Sequence, residues 1–150
     1  MKKKMIFGLL MGLLAISAMA QDPVWYENYD DAMAVAKESG KPVFLDFSGS
    51  DWCIWCQRLN QEVLTQQAFK DYAKDNLVLV LADFPKGKAQ SQTIKNQNQK
   101  LAQKFQVRGF PTVILVSPEG ESIAQTGYVQ GGADAYVTHL KGLLKPKADK

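Results

Sequence analysis

Only two cysteines occur in the 150 residues, Cys53 and Cys56, within the run Ser50-Asp51-Trp52-Cys53-Ile54-Trp55-Cys56. A Cys-x-x-Cys pair that follows an apolar strand pattern reads as a redox dithiol, able to close one disulfide and reopen it. A bridge over two residues closes a very small loop and removes little entropy from the unfolded chain, so stapling is a poor reason for it. A zinc site needs four ligands. The single histidine, His139, is remote in sequence, and Gln57 stands where covalent haem attachment requires histidine. A structural bridge and a metal site are the competing readings. Thiol–disulfide exchange is the better one, and it needs no cofactor.

The spacing assigns different jobs to the two sulfurs. A helix is expected to begin near Cys53, where unpaired N–H groups and the helix dipole stabilise a thiolate. Cys53 is then the attacking and more exposed sulfur. Cys56, nearly one turn on, is placed to resolve the mixed disulfide. Trp52 either packs beside the dithiol and shapes a docking surface or fills the core. Trp55, between the cysteines, is expected to be exposed and to contact a partner. Asp51, Arg58 and His139 read as solvated residues.

These residues must be held by the elements around them. Asp30 or Asp31 can cap a helix over Ala32 to Glu38 that Gly40 stops. Val43 to Phe47 is nearly continuous apolar sequence, the mark of a strand buried on both faces, and Ser48-Gly49-Ser50-Asp51 turns out of it. After the helix at Cys53, Thr65 is expected to cap a further helical stretch through Phe69 and Tyr72. Leu77 to Ala82 is a second buried strand. Ile94 to Phe105 is a helix, with Asn96-Gln97-Asn98-Gln99 as its solvated face. Pro111 leads into a strand over Thr112 to Val116; Pro118-Glu119-Gly120 turns into an antiparallel strand over Ser122 to Thr126. Gly131-Gly132 precedes a last helix, Ala133 to Leu144. This alternation demands an α/β fold, a central sheet with helices on both faces.

The start of the chain bears on where the chemistry occurs. Lys2, Lys3 and Lys4 precede an uncharged apolar run from Met5 to Ile16, then Ala18-Met19-Ala20, so residues 1–20 read as a cleavable signal peptide. The run is shorter than the ~20 residues of a spanning helix, and no cysteine follows it to take a lipid. Cleavage would leave residues 21–150 as one domain, with a core over about 25–144. The formal net charge of +3 belongs to the three lysines of that signal. The remainder is balanced and has no footprint for nucleic acid. Periplasmic or secreted localisation follows as an expectation, and a monomer is expected.

Three segments, in order, carry a resemblance: Val43-Phe44-Leu45-Asp46-Phe47, Trp52-Cys53-Ile54-Trp55-Cys56, and Gly109-Phe110-Pro111-Thr112. Together they resemble the thioredoxin superfamily over essentially residues 25–144. They look closest to exported bacterial members and to the C-terminal periplasmic domain of the transmembrane thiol:disulfide interchange reductase. The resemblance implies a thioredoxin-like fold with a mixed sheet of four or five strands. It implies that Phe110–Pro111 is a cis peptide facing the dithiol, with the Phe110 backbone pairing with substrate; from the residues alone, an ordinary strand-start proline is an equal reading. It also implies that Asp46 is the buried acid beneath Cys56 that takes its proton. Two departures stand out. Six residues separate Asp46 from Cys53, one more than in thioredoxin, and the extra one falls in the Ser48-Gly49-Ser50 turn. The strand from Leu77 to Ala82 also lacks the lysine that accompanies this acid.

The Ile54-Trp55 dipeptide carries no positive charge to stabilise a reduced thiolate, which favours a reducing couple. The expected function is an exported protein-disulfide reductase. It would act on disulfide-containing exported proteins, and the resemblance implies a membrane thiol relay as electron donor. The alternatives are a disulfide oxidase or isomerase on the same residues, or a thioredoxin-like binding module without enzymatic activity.

Overall fold

The computed structural model describes residues 21–146; residues 1–20, expected above to be a signal peptide, and residues 147–150 lie outside the described residues. Five strands form one sheet in the order β1-β3-β2-β4-β5. They are β1 Trp25–Tyr26, β2 Val43–Ser48, β3 Val78–Asp83, β4 Thr112–Val116 and β5 Ser122–Thr126. The first three run parallel, while β4 is antiparallel to β2 and β5 to β4. The sheet is therefore mixed, and its fifth strand is β1, a two-residue edge strand that is too short to leave a periodic signal.

All six residues of β2 are buried because it lies at the centre of the sheet, covered on both faces. The alternation of its side chains divides the core. Val43, Leu45 and Phe47 pack with Met33 of α1 (Tyr29–Ser39) and with Leu101 of α4 (Gln92–Lys104). On the other face Phe44 packs with Leu59 of α2 (Ile54–Leu59), Phe69 of α3 (Gln67–Asn76) and Tyr136 of α5 (Gly132–Leu143). The Phe44 ring meets Trp25, Phe69 and Tyr136 edge-on at 6.1, 5.5 and 6.4 Å. Burying a phenylalanine of this kind stabilises by about 2–3 kcal/mol. Asp46 has the same parity as Phe44, so it points to the face that carries α2. On β3, Leu81 and Asp83 stand opposite Asp46 and Ser48 on that face.

Several local expectations need correction. Asn28, not Asp30 or Asp31, caps α1; its carboxamide oxygen accepts from the N–H of both aspartates. Gly40 does end the helix, in a left-handed conformation at φ 69°. Thr65 closes the preceding segment instead of opening α3: α2 continues as one π-helical turn, Asn60–Leu64, and the Thr65 N–H and hydroxyl both donate to the Asn60 carbonyl. Nor is the Asn96–Gln99 stretch wholly solvated. Asn98 is fully buried and donates to the Asp83 carbonyl at 2.9 Å, and Gln97 bonds the backbone of Glu27 and Tyr29.

Candidate redox site

The turn between β2 and α2 delivers the dithiol. Gly49 accepts from the N–H groups of Trp52 and Cys53 through its carbonyl, at 3.1 and 2.8 Å, and its own N–H donates to the Cys56 sulfur at 3.5 Å. Cys53 is the N-cap of α2, and its sulfur accepts the Cys56 N–H at 3.2 Å. Sulfur thus takes the place that a serine or aspartate oxygen usually holds at a helix start. Cys53 and Cys56 are joined as a disulfide with their Cα atoms 5.3 Å apart. Cys53 is 7% exposed and Cys56 4%: the expected order, with a small gap in the oxidised pair.

In front of the dithiol the surface is aromatic. Trp52 is 41% exposed, which removes the core-filling reading. Its indole N–H donates to the Phe84 carbonyl at 2.8 Å, and its ring meets Phe110 edge-on at 5.9 Å. Phe110 also packs on Phe84 at 5.0 Å. The Phe110–Pro111 peptide is cis, and the Trp52 contact brings its loop beside the motif. The indole lies so close to Gly49 that a Cβ there would sit 2.5 Å from Trp52 Cε2. Trp55, 49% exposed, packs on Tyr128 at 5.3 Å.

All three residues read as solvated have specific partners. Arg58 lies 5.0 Å over the Trp55 ring and 5.3 Å over Tyr128, and its Nε donates to Glu62 at 2.8 Å. The Tyr128 hydroxyl donates to the same carboxylate, and these two hydrogen bonds hold Glu62 below the usual carboxylate range. Asp51 accepts from the N–H groups of Lys86 and Gly87 at 3.0 and 2.6 Å, which lowers its carboxyl and fastens the loop after β3 to the motif. That fastening places Lys86 Nζ 4.1 Å over the Trp52 ring. His139 is half-buried and shares a 2.8 Å hydrogen bond with the Thr126 hydroxyl.

Behind the dithiol the surroundings are polar. Asp46 is only 3% exposed, and its Oδ1 has no hydrogen-bond partner among the described residues. Burial, and secondarily the charge of Asp83, push its carboxyl up to about 7. Asp46 and Cys56 line one cavity of about 320 Å³ together with Ser50 and Lys88. Ser50 donates through its N–H and its hydroxyl to the Asp83 carboxylate, at 2.9 and 2.6 Å. Lys88 Nζ donates to the Ser50 hydroxyl at 3.2 Å. The sequence reading missed Asp83 and Lys88. For Asp83 a signal existed: two residues beyond Leu81, it has the parity of the face that Asp46 occupies. Lys88 sits in a loop with no periodicity to place it.

The chain matches the thioredoxin-like domain family over residues 29–141. It is 37% identical over 120 residues to the disulfide bond reductase DsbH of Chlamydia pneumoniae, covering 80% of this chain and 72% of that protein. It is 30% identical over 118 residues to the thiol:disulfide interchange protein DsbD of Vibrio vulnificus, covering 77% of this chain but only 18% of that protein. The solved structure of a DsbH oxidoreductase superposes with a TM-score of 0.81 at 33% identity, over 95% of this chain and 96% of that one. A paired Cys53–Cys56 at a helix start, carried on this sheet and shared with such relatives, makes the chain a member of the thioredoxin-like family and a thiol–disulfide oxidoreductase.

Proposed function

We propose that the protein is an exported protein-disulfide reductase in which Cys53 attacks and Cys56 resolves. The observation that carries the reading is the sulfur of Cys53 at the N-cap of α2, accepting a backbone N–H, while Cys56 lines a cavity with the buried Asp46. The Cys53 thiolate attacks one sulfur of a substrate disulfide, forming a mixed disulfide and releasing the other sulfur as a thiolate. Asp46, as carboxylate, takes the proton of Cys56. The Cys56 thiolate then attacks the Cys53 sulfur and expels the second substrate thiolate. The substrate gains two electrons, and the protein is left with the Cys53–Cys56 disulfide described above. Trp52, Trp55, Phe110 and Pro111 form the surface that receives the substrate.

Reduction rather than oxidation is supported by the uncharged Ile54-Trp55 dipeptide and by the reductase name of the DsbH relative. The substrates are disulfide-containing exported proteins. A membrane thiol relay, of the chemistry that the interchange-protein relatives are named for, resupplies electrons. Insulin-disulfide reduction tests the activity: wild type should be active and Cys53→Ser inactive, and equal inactivity of both would favour the binding module. Direction is read from the reduction potential, which should lie well below that of strong oxidants near −120 mV and towards that of thioredoxin near −270 mV. Mixed-disulfide trapping with Cys56→Ser in the native host identifies the substrates.

A further inference from the structure

The turn that leads to the dithiol is one residue longer than the resemblance leads one to expect, and the companion lysine of the buried acid is missing from β3. The structure connects these two departures. The longer turn contains Ser50, which bonds the Asp83 carboxylate twice and receives a bond from Lys88. We propose that Ser50, Asp83 and Lys88 are a positioning set behind the resolving cysteine. In it Asp83, clamped by Ser50 and countered by Lys88, sets how readily Asp46 takes and releases the Cys56 proton. The proposal rests on the reading of Asp46 as that proton acceptor.

Its geometry is specific. Asp46 and Asp83 point to the same face of the sheet from neighbouring parallel strands, β2 and β3. Asp46, Cys56, Ser50 and Lys88 line one cavity, and one oxygen of the nearly wholly buried Asp46 carboxyl has no hydrogen-bond partner among the described residues. The charged or titratable groups facing Asp46 are few. They are Cys56 from α2, Asp83 from β3, Lys88 from the β3–α4 loop and Tyr136 from α5. The π-helical turn contributes only uncharged residues, Asn60, Gln61 and Leu64, and β4 contributes Val113 in register. Tyr136 donates to the Gly127 carbonyl and is pushed up by burial, so it stays neutral. Burial first, and the charge of Asp83 second, favour the protonated acid at Asp46; in the proposed set Lys88, which lines the same cavity and bonds Ser50, brings the positive charge that opposes Asp83. A lysine on a loop can thus serve where the strand offers none.

The test is the pH dependence of resolution, followed by stopped-flow tryptophan fluorescence from pH 5 to 9 as the reduced protein reacts with a disulfide peptide. Wild type should show a midpoint near 7, the position to which Asp46 is pushed. Asp83→Asn keeps the shape and removes the charge, and should lower that midpoint by about one unit. Lys88→Met, on an exposed loop where folding is not at risk, should raise it by about half a unit. Alkylation of Cys53 by iodoacetamide should be unchanged in both variants. Shifts of opposite sign at constant Cys53 reactivity cannot come from loosened packing. If Asp46→Asn abolishes the midpoint while neither other variant moves it, or both move it the same way, the positioning set is wrong and the Asp46 reading stands. If Asp46→Asn keeps the midpoint, the Asp46 reading fails and this proposal falls with it.

Discussion

The two sides of the dithiol are built from different chemistry. In front, Trp52 and Trp55 are exposed, and the nearby cations Lys86 and Arg58 lie on their rings. Behind, Cys56 shares its cavity with the buried Asp46, and a second carboxylate, Asp83, is tied to the turn by Ser50. The sulfurs share one bond but stand in different surroundings. A backbone N–H at the start of α2 favours an anion at Cys53, while burial beside the Asp46 carboxyl favours a thiol at Cys56. A symmetrical motif of two cysteines is made directional by its surroundings.

The strongest way to break this comparison is to compare the reactivities of the two sulfurs. In the reduced protein at pH 7, iodoacetamide should label Cys53 on the order of a hundredfold faster than Cys56, as expected for a thiolate against a buried thiol. Mass spectrometry of partially alkylated protein reads the ratio. Comparable labelling of both would mean that front and rear do not differentiate the sulfurs.

The rear acid gives the next largest effect, through stability. Burial raises Asp46 in the folded state to about 7, above its value in the unfolded chain. Between these two values the folded protein binds more protons than the unfolded one, so stability falls as pH rises. From pH 5 to 8 wild type should lose about 2–3 kcal/mol relative to Asp46→Asn, whose side chain does not titrate. Urea titrations of both proteins at the two pH values measure it. A constant difference would mean that Asp46 is not held protonated by burial.

How much of this could be read beforehand follows the same division. The dithiol and the buried strand carrying Asp46 were legible because each is local, whereas the cis peptide at Phe110–Pro111 was expected only from the family resemblance. A spacing, an apolar run and a short motif can be read without knowing what packs on them. β1 was not legible, because two residues carry no period and its pairing with β3 is a tertiary event. The cap of α1 was misplaced because Asn28 and the two aspartates are all plausible N-caps, and only the backbone direction chooses between them. Asp83 and Lys88 lie 33 and 38 residues from Ser50, the motif residue they approach, and Arg58 looks like any solvated helix cation until Tyr128 arrives from far along the chain. The chemistry of the site was legible, whereas the electrostatic asymmetry around it depends on loops that only the fold brings together.

Gly49 joins the two sides, since its N–H reaches the rear sulfur and its missing side chain leaves room for the front indole. Gly49→Ala should force Trp52 off its place against Phe84 and Phe110 and destabilise the protein by about 1–3 kcal/mol, the usual cost of overpacking. The tryptophan emission should shift to the red as the indole moves into water. Because Cys53 and Cys56 both bond to this residue's backbone, a loss of activity that accompanies the shift supports coupling of front and rear through the turn. A variant with unmoved fluorescence would show that the indole has slack.

The smallest effect tests the front alone. Arg58 stacks on Trp55 and Tyr128 while pairing with Glu62, so it holds the exposed Trp55 ring in one orientation without touching either sulfur. Removing it leaves the dithiol and the rear acid as they are. Arg58→Met retains the apolar stem and loses the cation, and should raise KM for a protein disulfide about two- to threefold, the scale of an exposed cation–π contact. It should leave kcat and the pH midpoint of resolution unchanged. Trp55→Ala should raise KM further, and the double variant should add nothing to it, because Arg58 acts on substrate only by way of that ring. Additive effects would mean that Arg58 contacts the substrate itself, making the front a charged surface as well as an aromatic one.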